Sequence, residues 1–242
     1  MAKLRLDKYL ADAGLGTRKQ VRELIKKQQV IVNDMIVRQP DQKIDSEADS
    51  ILVQGKPVLY ESFSYFMMNK PQGVVSATKD EKENTVLSLI TEAKRRDLFP
   101  VGRLDKDTEG LLLITNDGKL ANELLAPGKH VDKTYYARIT GHVTETEIEK
   151  FREGLDIGDE KLTAPACLRI LAAGEESEIE ITITEGRYHQ IKRMFEAVGM
   201  KVVYLKRLSM GNLLLDPSLK NGEYRRLTEE ELACLRKRND MA

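Results

Sequence analysis

A short loop at residues 102–105 (Gly-Arg-Leu-Asp) carries side chains that could do acid–base or nucleophilic chemistry. It places the carboxylate of Asp105 two positions from the guanidinium of Arg103, and the apolar run 111–114 follows closely. A rigid buried strand commonly positions a loop that carries reacting groups. We therefore interpret Asp105 as a candidate catalytic carboxylate beside a cation, Arg103. On this motif alone, a structural role for Asp105 in a turn or salt bridge stays open.

The same loop imitates the first half of a calcium-binding loop, because Asp105, Asp107 and Glu109 alternate before Gly110. The twelfth position of such a loop supplies a bidentate glutamate, and here it is Asn116. An apolar run also stands where further oxygen ligands are needed. We therefore predict no metal at this loop.

A second charged motif at residues 185–195 reads as a strand end, a glycine turn and the start of a helix. His189, Lys192 and Arg193 lie opposite the apolar stripe of this helix. No serine or cysteine stands near His189 in a recognisable motif, so a nucleophilic triad is not indicated. A solvated basic face is the simpler alternative, with His189 as a hydrogen-bonding residue at the helix start.

The N-terminal segment concentrates positive charge on a chain that has 39 basic and 39 acidic side chains. Residues 1–32 hold eight basic and three acidic side chains, a local net charge of +5. We predict that the exposed face of the second helix binds RNA phosphates together with Arg5. Its candidate contacts are Arg18, Lys19, Arg22, Lys26 and Lys27. The alternative is an ordinary charged face in contact with solvent.

Bulk composition excludes several classes of protein. The chain has 242 residues, of which 41% are hydrophobic, enough for the core of one large or two smaller domains. It has no run of about 18 apolar residues, and its first residues lack the apolar region of a signal peptide. Two isolated cysteines and three scattered histidines predict neither a zinc site nor a disulfide framework. We expect a cytoplasmic protein.

Hydrophobic periodicity predicts the elements that position these motifs. Residues 1–57 read as two helices, with a capping box at Thr17 and Gln20, followed by a hairpin at 30–37. Residues 55–62 are the expected linker, and 62–242 form the second domain. There, strands are expected at 65–68, 111–115 and 178–184, and helices after Thr144, after Thr228 and over 188–198. This irregular alternation favours an α+β fold with a mixed, mainly antiparallel sheet, flanking helices and a central cleft.

Taken together, the motifs resemble those of the Rsu-type ribosomal RNA pseudouridine synthases. The resemblance is carried, in order, by residues 69–73, 102–105, 133–135 and 185–194. Residues 3–50 are also similar to the alpha-L RNA-binding module. The sequences of residues 65–71 and 185–194 most resemble those of the family members that act on the small ribosomal subunit.

The resemblance implies an enzyme that converts a uridine of ribosomal RNA to pseudouridine without a cofactor or metal. Asp105 corresponds to the catalytic carboxylate, and Lys192 to the cation that keeps it ionised. Tyr135 corresponds to the residue that packs on the flipped base, Leu205 to an apolar residue beneath the base, and Arg103 to a residue that holds the opened site or contacts phosphate. The implied partner is ribosomal RNA or a precursor of a ribosomal subunit, with no membrane partner.

Three alternatives accompany this hypothesis. The first is the same reaction on large-subunit RNA, and the second is a non-catalytic RNA-binding protein of ribosome assembly. The third is an unrelated hydrolase with two carboxylates, for which Asp107 or Glu109 would be the second acid.

Overall fold

The computed structural model of the protein describes residues 3–46, 48–58, 63–91, 97–126, 128–129 and 131–237. The chain divides into two compact units. One comprises Met1–Ser64 and Thr91–Leu98, and the other comprises Tyr65–Ile90 and Phe99–Ala242. No helix among the described residues combines the length and apolar character that crossing a membrane requires.

The first unit combines two helices with short strands around its own core. Its elements are β1 (Lys3–Arg5), α1 (Leu6–Asp12), α2 (Arg18–Lys26), β2 (Val30–Val32), β3 (Met35–Ile36), β4 (Lys43–Asp45), β5 (Ile51–Val53) and β6 (Lys56–Pro57). β1 pairs with β4, and a second sheet has the order β3-β2-β5-β6. The buried side chains include Leu6, Leu10, Val21 and Ile25 from the two helices.

Local sequence signals account for most of this unit. The predicted capping box is present, because Thr17 and Gln20 each bond the other's backbone at the start of α2. The hairpin turn places Asn33 and Asp34 at positive φ, as a two-residue turn between twisted strands requires. The linker prediction is wrong at its beginning, since Lys56–Pro57 pairs with β5 and extends the sheet. Residues 59–62 of that linker lie outside the described residues.

The second unit is built on one large sheet. Its strands are β7 (Tyr65–Lys70), β8 (Phe99–Pro100), β9 (Glu109–Thr115), β10 (Lys133–Thr140), β11 (Cys167–Ala172), β12 (Glu176–Ile183), β13 (Lys201–Met210), β14 (Leu213–Leu214) and β15 (Tyr224–Arg226). The helices are α3 (Gly118–Leu125), α4 (Glu145–Glu153), α5 (Gln190–Ala197) and α6 (Glu229–Lys237), with a 3-10 helix at Val86–Leu89.

The strand order is β11-β12-β10-β13-β9-β7-β15, with β14 beside β13 and β8 beside β9. The β9–β13 pair is parallel and every other described pair in this sheet is antiparallel. A mixed, mainly antiparallel α+β fold is therefore confirmed. The apolar run 111–114 is fully buried in β9, as a central strand packed on both faces requires.

Helix ends follow their capping signals with one exception. Thr144 caps α4 through a capping box with Glu147, and Thr228 and Glu231 exchange hydrogen bonds at the start of α6. The helix predicted over 188–198 is shorter and begins at Gln190, because His189 adopts a left-handed backbone conformation with φ of 48°.

Close contact between β9 and β13 requires a glycine at position 110. Gly110 has φ of +102°, and a Cβ there would lie 2.3 Å from the carbonyl oxygen of Arg207. We expect Gly110→Ala to lower the free energy of unfolding by at least about 2 kcal/mol, because a left-handed backbone and a backbone clash are both penalised. Urea unfolding measures this loss. Gly118→Ala is the matched control, since its Cβ would meet nothing within 4 Å, and an equal loss there would contradict the argument.

Candidate active site

One cavity of the second unit, with a volume of about 80 Å³, is lined by all five residues that the sequence singled out for catalysis and substrate binding. They come from the loop before β9, from β10, from α5 and from β13, and are Arg103, Asp105, Tyr135, Lys192 and Leu205. Residues up to 102 positions apart in sequence therefore meet at one place.

The Asp105 carboxylate faces two nitrogen-bearing side chains from the second charged motif. Lys192 Nζ lies 3.2 Å from Oδ2, and His189 Nε2 lies 3.5 Å from Oδ1. Arg103 is exposed and, among the described residues, forms no ion pair with Asp105. The expectation that Arg103 is the cation beside Asp105 is therefore wrong, because the ammonium of Lys192 occupies that position.

Lys192 is shared between two carboxylates. Its Nζ donates to Asp107 Oδ1 at 2.6 Å, in addition to its contact with Asp105. Burial favours the neutral amine, but these two carboxylates outweigh it and raise the pKa of Lys192. Burial would likewise raise the pKa of Asp107, but the hydrogen bond and the charge of Lys192, together with smaller contributions, outweigh it, and the pKa of Asp107 is lowered. Both groups are therefore charged at neutral pH.

A buried lysine that the sequence analysis missed fixes the loop of Asp105. Lys70 ends β7 with 0% exposure, and its Nζ donates to the backbone oxygens of Pro71, Asp105 and Thr108 at 3.1, 2.9 and 2.9 Å. Burial lowers the pKa of Lys70 to about 8, against the attraction of nearby carboxylates that include Asp105. Only its place beside Pro71, within a motif of the resemblance, could have pointed to it.

The loop is also held from its other side. Ser76 Oγ donates to the Leu104 oxygen at 2.9 Å and accepts from the Leu104 nitrogen at 3.0 Å. The Thr108 nitrogen closes the turn on the Asp105 oxygen at 3.1 Å. The backbone of Asp105 is therefore bound on both flanks, and its carboxylate has a defined position.

Tyr135 and Leu205 form an apolar wall of the cavity. They are 7% and 6% exposed and come from the neighbouring strands β10 and β13. Tyr136 follows on the opposite face of the sheet, as the strand period predicts, and its hydroxyl donates to Glu178. A flat base against this wall would exchange water for aromatic and aliphatic contacts.

The turn before α5 brings His189 to the site, which the sequence analysis did not predict. Gln190 accepts from the Arg187 nitrogen at 2.9 Å and donates to Glu185 at 2.8 Å. Arg187 is held in turn by the carbonyl oxygens of Lys161 and Leu162. The imidazole of His189 faces Asp105 instead of capping the helix. A left-handed backbone at a histidine carries no sequence signal that distinguishes it from an ordinary helix start.

Comparison with known proteins identifies the family of the chain. The family model for RNA pseudouridylate synthase matches residues 64–197, and the S4 domain model matches residues 4–51. The chain belongs to the RNA pseudouridylate synthase family. The predicted enzyme class and the predicted N-terminal RNA-binding module are both confirmed.

Relatives align over nearly their whole length. An uncharacterized RNA pseudouridine synthase of Bacillus subtilis, YtzG, is 48% identical and covers 96% of this chain and 98% of its own. Ribosomal small subunit pseudouridine synthase A of Escherichia coli is 42% identical, with 96% and 100% covered. Ribosomal large subunit pseudouridine synthase B of Bacillus subtilis is 40% identical, with 96% and 95% covered. A crystal structure of a pseudouridylate synthase superposes with a TM-score of 0.68 at 38% identity, covering 96% and 99%.

In the S4 domain, the predicted phosphate-binding residues fall into two groups. Arg18, Lys19 and Lys27 are exposed, and Lys26 pairs with Glu23 at 3.4 Å. Arg5 and Arg22 instead grip the buried carboxylate of Asp7, at 3.0 and 2.8 Å. Burial opposes ionisation of Asp7, but the two guanidiniums outweigh it and lower its pKa. Three of the six predicted RNA contacts, Arg5, Arg22 and Lys26, are therefore partly neutralised within the domain.

Carboxylates near the cavity are engaged with cations. Asp105 and Asp107, the first two carboxylates of the calcium-like pattern, both bind Lys192. In the parts of the chain that the structure describes, no three His, Cys, Asp or Glu side chains are grouped as metal ligands.

Lys70 makes the stability of this synthase depend on pH. Its pKa is about 8 in the folded protein and 10.5 in its unperturbed state. Between these values the unfolded chain binds more protons, so stability rises with pH, by up to about 3 kcal/mol. Urea unfolding at pH 7 to 10.5 should show this increment for the wild type relative to Lys70→Met. If the free energy of unfolding of the two proteins changed with pH in parallel, the lowered pKa of Lys70 would be contradicted.

Proposed function

We propose that this synthase converts one uridine of ribosomal RNA to pseudouridine, with Asp105 as the catalytic carboxylate. The observation that carries the proposal is the Asp105 carboxylate on a doubly bound loop, with the Lys192 ammonium 3.2 Å away and an apolar wall beside it. Every version of its role in this reaction requires the carboxylate form, and the Lys192 ammonium places a positive charge beside it.

The reaction rearranges one nucleoside without net oxidation or reduction. The bond between C1′ and N1 breaks, the uracil turns, and C1′ bonds to C5. The proton on C5 is released and N1 gains one, so atoms and charge balance with no further reactant. We infer no need for a cofactor from this balance. Asp105 acts at the sugar or the base during bond cleavage, and the Lys192 ammonium supplies the neighbouring positive charge.

Chemistry on a base within folded RNA requires that the nucleotide leave its stack. We propose that Tyr135 packs against the flipped uracil and that Leu205 supports the base from below. Their low exposure and their shared place in the cavity wall support these roles. Arg103, exposed at the same cavity, is the candidate for a phosphate contact or for holding the opened site.

The RNA target is small-subunit ribosomal RNA in this proposal, free or within a precursor of the subunit. This target is favoured because the sequences of residues 65–71 and 185–194 resemble those of family members that act on the small subunit. The alternative is large-subunit RNA, since relatives named for the two subunits are 42% and 40% identical to this chain. A substrate of this class implies a cytoplasmic setting. A non-catalytic assembly role is less favoured because Asp105 and its cation are both present.

Release of tritium from C5-labelled uridine tests the reaction and the residue. We expect the wild type to release tritium from small-subunit RNA transcripts and Asp105→Asn to be slower by at least about a thousandfold, the order of loss when a reacting group is removed. RNA binding by Asp105→Asn should stay within a few fold. Pseudouridine mapping then locates the modified nucleotide.

Asp107→Asn is the matched comparison, because Asp107 is also a carboxylate bound to Lys192. It should keep most of the wild-type turnover. Turnover by Asp105→Asn, or an equal loss in Asp107→Asn, would contradict the assignment to Asp105. Release from large-subunit transcripts alone would select the alternative substrate.

The exposed cations of the S4 domain should set the salt dependence of RNA binding. Each phosphate contact contributes about 0.7–0.9 to the slope of log K against log salt. Replacement of Arg18, Lys19 and Lys27 by glutamine should therefore reduce the slope by about 2–3. The control replaces three exposed lysines of the other unit, Lys119, Lys150 and Lys201, and should change the slope less. Equal slopes of log K against log salt for the two triple variants would contradict the prediction that the cations of α2 bind RNA phosphates.

A further inference from the structure

Tyr188 stands out among the large hydrophobic side chains at the protein surface. Its side chain is 76% exposed, the highest value among the exposed large hydrophobic residues of the described chain. It directly precedes His189, which lines the cavity. An isolated exposed aromatic residue needs no explanation by itself, but this one adjoins the reacting groups.

The Tyr188 ring forms a continuous stack towards Asp105. It lies on the His189 imidazole with ring centroids 3.9 Å apart and an angle of 16° between the planes. The His189 imidazole also reaches the site, since its Nε2 is 3.5 Å from Asp105 Oδ1. One aromatic ring therefore lines the cavity and the next extends the same stack into solvent.

The backbone holds this stack in place at an energetic cost. His189 has φ of 48° and ψ of 34°, a left-handed conformation that side chains with a Cβ seldom adopt. Arg193 donates to the Tyr188 oxygen at 3.2 Å, and the Arg193 nitrogen donates to the His189 oxygen at 3.0 Å. Strain of this kind persists where the surrounding structure imposes it, commonly at functional sites.

We propose that the outer face of Tyr188 is a stacking platform for the nucleobase adjoining the target uridine in the RNA strand. The inference rests on the proposed function, because it takes the cavity as the place of the flipped uridine. A flipped nucleotide leaves its neighbours without a stacking partner on one side. The neighbours are tied to the target by a phosphodiester, so they stay near the cavity rim where Tyr188 lies.

A nucleobase fits this platform better than another ligand does. The exposed surface is a planar ring, and aromatic stacking accepts any base because every base has a π-face. The two cations that follow Tyr188 on α5 are already occupied: Lys192 binds Asp105 and Asp107, and Arg193 binds Asp159. A phosphate therefore has less to gain here than the face of a base.

The test compares variants at position 188 for RNA affinity and for turnover. We expect Tyr188→Ala to weaken binding of the RNA transcript by about tenfold, the loss typical of one base–aromatic stack. Tyr188→Phe should bind as the wild type does, because the ring remains. Tyr188→Leu should resemble Tyr188→Ala, because it keeps apolar volume without a planar ring. Leu214→Ala, at a residue 69% exposed in β14, is the control for loss of a surface side chain.

A second experiment uses two RNAs, each with an abasic nucleotide on one side of the mapped uridine, and measures their affinity for the wild type and for Tyr188→Ala. On one of these two RNAs the wild type should lose the same tenfold, and Tyr188→Ala should lose nothing further. Three outcomes would contradict the stacking proposal. The wild type and Tyr188→Ala could bind the transcript equally, Tyr188→Leu could bind as tightly as the wild type, or Tyr188→Ala could lose further affinity on both abasic RNAs. The affinity arm does not depend on turnover, so a wild type that releases no tritium would refute the proposed function separately.

Discussion

The Lys70 ammonium is the interaction on which the arrangement of the cavity depends. It sits at the end of β7 and binds three backbone oxygens, two of them in the loop of Asp105. A buried ammonium is costly to desolvate, and its removal would leave three carbonyl groups without their donor. These hydrogen bonds hold the backbone of the loop, and with it the position of Asp105.

Sheet register places this ammonium under the loop. Lys70 pairs with Gly110 across β7 and β9, and Gly110 pairs with Arg207 across β9 and β13. The three residues form one row across the sheet, and the absence of a side chain at Gly110 allows the strands to approach. The parallel contact then brings β13 with Leu205 beside the loop, so one glycine connects the loop of Asp105 to the apolar wall.

Much of the fold and the cavity could be predicted from sequence, because short-range signals recur where elements begin and end. Only a few neighbouring residues are needed to recognise a capping pair, the turn at Asn33, or the alternation of buried and exposed side chains along β12. Four of the five cavity residues lie in sequence motifs, whereas Leu205 and the roles of all five came from the family resemblance. Lys70 and His189 were missed for a physical reason. The first depends on a contact across 35 residues and the second on a backbone angle, and neither leaves a periodic pattern.

The distribution of charge separates two sources of RNA affinity. The chain is neutral overall, and most cations around the cavity are bound to carboxylates, with the exposed Arg103 as the exception: Lys192 binds Asp105 and Asp107, and Arg187 and Arg193 bind Asp159. Such pairs cancel one another's field beyond a few ångströms, so the cavity exerts little attraction on a distant phosphate. The exposed cations of α2 are less compensated, and we therefore infer that long-range attraction of RNA belongs to the S4 domain. Contacts at the cavity then act at short range through stacking and shape, which depend little on salt. A decrease of affinity with salt would thus report on the S4 domain, whereas the residual affinity at high salt would report on the cavity and its rim.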